Sequence, residues 1–204
     1  MKLSLVAVAL AALAGCATEP ATPPKAAAAT PAPMASPAPA AAPMAAAAPA
    51  ATAQVFFAVL PETGRIHAFG DTKNYFDFLS HGEVTLTRTQ IGAGPGGRTV
   101  VYGITGDDVK ANKPSLGELV MNGSATPAPG FYGEVLKDSR YYVFGDLKDM
   151  KNFLAFGEVP YSYTDIGVGP KGESLVYVMN KDSYAKGKPA DRGERFKSLR
   201  MAAK

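Results

Sequence analysis

The chain has 204 residues, of which 47% are hydrophobic, 19% charged and 9% aromatic; 21 basic and 18 acidic side chains leave a net charge of +3. So small an excess gives no reason to expect nucleic acid as a partner. One cysteine permits no internal disulfide, so a core must hold the fold, and the length suits one or two small domains.

The N-terminus opens with Met1-Lys2 and an apolar run from Leu3 to Leu13, and closes on Leu13-Ala14-Gly15-Cys16. A basic start, a short apolar run and small residues at its end mark a secretory signal over residues 1–15, too short for a membrane span. The closing tetrad resembles the lipobox of bacterial lipoprotein precursors. The resemblance implies that Cys16 receives a diacylglycerol thioether, that the signal is removed before it, and that the new amine is acylated. Two or three acyl chains anchor a protein stably where one does not. No second apolar stretch reaches spanning length, so lipid is expected to be the only attachment. In Gram-negative lipoproteins an aspartate after the cysteine directs retention in the inner membrane. Ala17 stands there instead, and the resemblance therefore implies the outer membrane, with the rest of the chain facing the periplasm or the cell exterior.

Residues 16–53 read as the lipidated cysteine and an Ala/Pro-rich tether. Only Glu19 and Lys25 are charged, and proline recurs nine times between positions 20 and 49. Such a composition buries too little apolar surface to offset chain entropy, so the tether is expected to stay extended and unstructured.

From Gln54 the chain turns aromatic and β-branched, and a repeat emerges. A shift of 75 residues superposes Phe69-Gly70-Asp71 on Phe144-Gly145-Asp146, Gly82-Glu83-Val84 on Gly157-Glu158-Val159, and Ile91-Gly92 on Ile166-Gly167. Without a gap, 22 of the 59 positions from Phe56 to Pro114 are identical to their counterparts. Repeat 1 is assigned to 54–114, a linker to 115–130, and repeat 2 with a basic C-terminal segment to 131–204.

Each copy reads strand, strand, helix, strand, strand. In the first, a strand over 55–60 turns at 61–64 into a strand over 65–69. Asp71 then caps a helix whose positions 75, 78 and 79 share a face. Gly82 suits a left-handed helix end. A hairpin, about 84–91 and 98–104, turns at Pro95–Gly97 in a type I turn with a glycine bulge. Asp191 to Lys204 suits a basic helix with Phe196, Leu199 and Met201 on a partial apolar face. The expected fold class is α+β: two tandem ββαββ repeats packed as a pseudo-dimer, because one copy has little core of its own.

Candidate chemistry is sparse. Asp71 and Asp146 read as helix caps rather than paired catalytic carboxylates. Glu83 and Glu158 suit salt bridges to Arg65 or Arg140. The Ile-Gly-x-Gly-Pro-x-Gly loops lie between strands, whereas phosphate-binding glycines sit between a strand and a helix. His67 and His81 have Tyr142 and Phe156 as counterparts and lack companion ligands at metal-binding spacing. No catalytic residue, metal or cofactor is expected. The tract from Tyr142 to Phe153 resembles the core of YHS-type domains, although both cysteine positions of that pattern are replaced in both copies. The resemblance therefore implies a local shape, strand to tight turn to helix, and no metal.

The sequence thus leads to a cell-envelope lipoprotein acting as a tethered, non-catalytic binding or scaffolding module. A small-ligand carrier or enzyme with a site between the repeats is the alternative. Residues 181–204 carry eight basic against three acidic side chains. Arg192, Arg195, Lys197 and Arg200 are the candidate contacts for an anionic partner: cell wall, lipopolysaccharide or an envelope protein.

Overall fold

A computed structural model describes residues 51–203. The signal segment 1–15, Cys16 and the tether as far as residue 50 lie outside the described residues. The fold is built on one mixed sheet of eight strands. In chain order these are β1 (Ala51–Leu60), β2 (Ile66–Phe69), β3 (Thr87–Gln90), β4 (Val100–Gly103), β5 (Ala125–Lys137), β6 (Arg140–Phe144), β7 (Tyr161–Asp165) and β8 (Ser174–Met179). They lie side by side in the order β3-β4-β2-β1-β5-β6-β8-β7. At the centre β1 runs parallel to β5, from Ala51 opposite Ala125 to Leu60 opposite Lys137. On either side β2 and β6 are antiparallel to their central neighbours, β4 and β8 are parallel to β2 and β6, and β3 and β7 close the edges antiparallel.

Strand alternation divides the core between the two faces of the sheet. Phe56, Ala58, Ile66, Ala68, Val135 and Phe144 point to one side with Met150, Phe153 and Leu154. Phe57, Val59, Phe69, Tyr132, Tyr141 and Val143 point to the other with Tyr75 and Phe196. Helices α3 (Leu116–Met121) and α4 (Leu147–Phe156) therefore cover the first face, and α1 (Thr72–His81) and α6 (Ala190–Ala202) the second. The short α2 (Gly106–Lys110) and α5 (Lys181–Tyr184) follow β4 and β8. Helices are thus interleaved with the strands and flank both sides, rather than being segregated as in an α+β fold.

The caps of α1 and α4 are as their residues require. Asp71 accepts from the Asn74 amide at 2.8 Å, and Asp146 from those of Lys148 and Asp149. Gly82 and Gly157 end these helices at φ 78° and 73°, a conformation open to glycine without a Cβ penalty.

Four expectations need correction. First, β1 takes in Ala51–Ala53, assigned above to the tether, because these residues pair with Ala125–Pro127. Second, 115–130 is no linker: it carries α3 and the start of β5. Ser115 and Glu118 form a reciprocal capping box there, a Ser-x-x-Glu pattern readable in the sequence. Third, the C-terminal segment is assigned above to repeat 2 alone, yet α3 follows Lys113-Pro114 just as α6 follows Lys188-Pro189, so that segment's helix has a positional counterpart in the first half. Fourth, the two glycine turns differ. Gly96 is left-handed (φ 68°, ψ 23°), which fits the third position of a type II turn. Lys171, its counterpart, is not among the positive-φ residues, and Gly172 takes φ 83°, as a type I turn with a glycine bulge requires.

Candidate functional site

Polar chemistry concentrates in the middle of the sheet. Alternation along β5 directs Tyr132 and Glu134 to the face covered by α1 and α6, and Glu134 is fully buried. Its carboxylate accepts from the Tyr75 hydroxyl of α1 at 2.5 Å and from the Tyr132 hydroxyl at 2.7 Å. The Arg200 guanidinium of α6 reaches both carboxylate oxygens, at 2.5 and 3.2 Å. Three elements distant in sequence thus meet on one charge. Arg200 is itself enclosed, with its guanidinium carbon 3.4 Å from the Phe196 ring centre and 4.5 Å from that of Tyr141.

The electrostatics follow from this geometry. Burial first, and then the charge of Glu134, push the Tyr75 and Tyr132 phenols well above their ordinary range, so both remain neutral donors. Burial alone would lower Arg200, but the Glu134 carboxylate outweighs it and holds the guanidinium above its usual value. Arg200 therefore stays charged. A desolvated ion pair is tolerated when further hydrogen bonds satisfy its remaining valences; here two phenols serve the carboxylate and the Phe196 carbonyl serves Arg200, while the Arg200 Nε is left buried without a hydrogen-bond partner among the described residues. The arrangement works as a clasp fastening α1 and α6 across β5.

A second buried carboxylate, Glu118 of α3, sits on the opposite face. It accepts from Arg88 at 2.6 Å, from Gln90 at 3.3 Å and from the Ser115 amide at 2.7 Å. Burial raises its pKa, yet the bonds from Arg88 and Ser115 prevail and the net shift is downward. Seventy-five residues on, Gly193 of α6 occupies the corresponding place, and a Cβ there would come within 2.6 Å of the Tyr177 hydroxyl. That hydroxyl donates to Asp165, which Lys188 also grips at 2.6 Å. The phenol is pushed up to about 12 by burial and by Asp165.

The residues singled out in the sequence are dispersed. His67 on β2 packs against the Phe78 ring, and burial, then Arg65, lower its pKa. The His81 ring lies 3.0 Å from the Asp77 carbonyl, one helical turn back. Among the described residues no group of three or more His, Cys, Asp or Glu could hold a metal ion. Neither Glu83 nor Glu158 forms one of the ion pairs among the described residues. Of the four C-terminal cations, Arg200 is committed to Glu134 and is not available to an outside anion. Arg192 donates to the Val178 carbonyl at 2.8 Å and lies against Gly145, where a Cβ would come within 2.8 Å of its Nε. Arg195 and Lys197 are exposed.

That contact explains the glycine of the repeated Phe-Gly-Asp. Gly70 is crossed by α3 just as Gly145 is met by Arg192 of α6: a Cβ on Gly70 would come within 2.6 Å of the Leu116 Cβ. The central cluster escaped sequence reasoning, but a signal was present. Glu134 is a lone carboxylate inside the apolar run Phe131-Tyr132-Gly133-Glu134-Val135-Leu136, and a charge in a buried strand demands a partner.

Set against protein-family models, curated proteins and solved structures, the chain matches none. Among the described residues no helix is long and apolar enough to cross a membrane.

Proposed function

We propose that this chain is an outer-membrane lipoprotein whose folded part is a tethered, non-catalytic binding or scaffolding module of the cell envelope. The observation carrying the location is the N-terminal pattern Met1-Lys2, Leu3 to Leu13 and Leu13-Ala14-Gly15-Cys16. The non-catalytic reading draws support from how the buried carboxylates are used: Glu134 and Glu118 each spend their oxygens on internal donors. The chain with Cys16→Ser should lose metabolic labelling by a fatty acid and retain residues 1–15. A wild-type chain that takes no label and fractionates away from membranes would sink the assignment.

The folded part is, on this reading, a duplication packed as a pseudo-dimer. The succession β1-β2-α1-β3-β4-α2-α3 returns as β5-β6-α4-β7-β8-α5-α6. The parallel β1–β5 pair puts the relating axis in the sheet, along the strands, which accounts for α1 and α4 lying on opposite faces. The Glu134 cluster is the one observation that favours the alternative, a ligand site between the halves. It is polar, lies at the β1–β5 seam, and has unlike residues at matching places: Met150 stands where Tyr75 does. Arg200 of α6 now fills it.

An anionic envelope partner remains the proposed role of the C-terminal segment, carried by Arg195 and Lys197. With both changed to Gln, cosedimentation of the chain with isolated cell walls should weaken, and binding by the unaltered chain should fall as salt shortens the Debye length to about 3 Å at 1 M. Salt-independent binding, or binding that ignores the substitutions, would leave α6 a solvated helix.

A further inference from the structure

The outer edge of the second half carries a row of aromatic rings. β7 is the last strand of the sheet among the described residues, and alternation puts Tyr161 and Tyr163 on one of its faces. Tyr184 of α5 packs against both. Its ring centre lies 5.2 Å from that of Tyr161 and 4.9 Å from that of Tyr163, stacked on the latter at 20°. Tyr161 and Tyr184 are each 38% exposed, and Tyr163 is half-buried. Three rings thus form one continuous surface.

The first half builds the same edge without them. β3 pairs with β4 as β7 pairs with β8, at the same displacement of 75: Thr87 faces Gly103, and Ser162 faces Val178. At the three matching places stand Leu86, Arg88 and Val109. Arg88 pairs with Glu118, whose counterpart is Gly193, so that ion pair has no equivalent in the second half. The tyrosines are therefore not a requirement of the shared backbone. Tyrosine is a residue that interfaces favour, because it joins a flat apolar body to a polar tip. Asp165, next on the same face of β7, is matched by Lys188 at 2.6 Å. The row itself is uncharged and suits a neutral, apolar ligand.

We infer that this tyrosine row docks the proline-rich segment 31–39 of the chain itself. Aromatic surfaces recognise proline-rich segments because the polyproline helix has little order left to lose. The segment reads Pro-Ala-Pro-Met-Ala-Ser-Pro-Ala-Pro and carries no charge. At three residues per turn, Pro31, Met34 and Pro37 fall on one edge, leaving Ser36 on another. Proline lacks the N–H that a further strand would need, so the segment belongs on the rings and not in the ladder.

The chain is long enough to reach. β7 lies four strand spacings from β1, about 19 Å. Through successive pairs Tyr163 is level with Phe57, six residues beyond Ala51, or about 20 Å along the strand. The direct span is then about 28 Å, and residues 40–50 cover about 34 Å at the polyproline rise. A linked segment meets its site at a millimolar effective concentration, so a weak contact suffices. Docked, the segment would shorten the reach of the tether. The inference goes beyond the tethered-module reading and holds whether or not Cys16 carries lipid.

A nitroxide placed in the segment tests this. The full chain with Cys16→Ala and Ser36→Cys would carry the label at position 36. Amide resonances of Tyr161–Asp165 and Lys181–Tyr184 should lose about half their intensity or more, while those of Thr87–Gln90 and Gly106–Lys110 keep theirs. β3 is only three strand spacings from β1, so a segment that merely sampled its surroundings would broaden the first-half edge at least as strongly. Tyr161→Leu with Tyr184→Val, the residues of the first half, should abolish the broadening at β7. Equal broadening at the two edges, or broadening that survives the loss of both rings, overturns the inference. So does broadening in a mixture where the nitroxide and the observed amides are on separate chains, which would assign the contact to another copy's segment. The comparison of the two edges leaves all three tyrosines in place and decides by itself if the double variant does not fold.

Discussion

Replacing Glu134 with alanine should destabilise the folded chain by about 3–5 kcal/mol, the usual cost of stranding one partner of a buried ion pair. The substitution leaves the Arg200 guanidinium, whose side chain is only 13% exposed, without its counter-charge. It also takes the acceptor from two buried phenols, Tyr75 and Tyr132, and each unsatisfied buried donor adds roughly 1–3 kcal/mol of desolvation that is not recovered. These contributions share one site, so they do not sum. Glu134→Gln keeps an acceptor and should cost less. The informative variant combines Glu134→Leu with Arg200→Met. Removing both charges for apolar groups of similar size should recover much of the loss, because the desolvation penalty goes with them. Equilibrium urea unfolding of the four proteins measures this. A change below about 1 kcal/mol in Glu134→Ala would mean that water or another anion takes over as acceptor for these donors.

Legibility in the sequence followed the range of the interaction. Asp71, Gly82 and their counterparts were readable because a helix cap is decided within four residues. The turn at Gly96 was misread, although its cause is equally local: a second glycine at 96, where the other copy has Lys171, opens the left-handed region. Ser115 and Glu118 were also local and readable, but the flanking Gly/Pro/Thr-rich composition suggested a linker. Composition is a weak guide when β5 tolerates Pro127 and Pro129 at its irregular start, where the β1–β5 register shifts.

What could not be read was long-range. Arg200 reads in sequence as a candidate contact for an anionic partner, one of several cations in a basic segment. Nothing within ten residues shows that it lies beside Glu134, 66 positions earlier. Nor does a gapless shift of 75 reveal that β1 and β5 share one sheet. The pairing Phe57–Phe69 recurs as Gly133–Phe144, a displacement of 76 on one strand and 75 on the other. The hairpin over Pro61–Arg65 is one residue longer than its counterpart, and one residue in a strand exchanges the two faces.

Dividing the chain between Gly123 and Ser124 should give two fragments, neither of which folds as a monomer. The cut severs no strand, but each fragment loses the other's half of the sheet. β1 gives up its parallel partner over Ala51–Leu60, and a ten-residue strand that was central becomes an edge. Phe56 and Phe57, both fully buried in the whole chain, would lie beside that edge, a combination that promotes further strand pairing. Tyr75 loses Glu134 as acceptor, and Arg98 loses the Leu154 carbonyl that ends α4. Each half would bury a smaller share of its surface than the whole, which is what makes small units marginal. Alone, therefore, either fragment should show no cooperative thermal transition, or should form a homodimer in which β1, or β5, pairs with its own copy about the in-sheet axis. Mixed together, the fragments should copurify as one-to-one pairs and regain a single transition near that of the intact chain. Circular dichroism melting with size-exclusion chromatography separates these results. A fragment that elutes as a monomer and melts cooperatively would show that one half carries a sufficient core, and would remove the physical reason for a shared sheet.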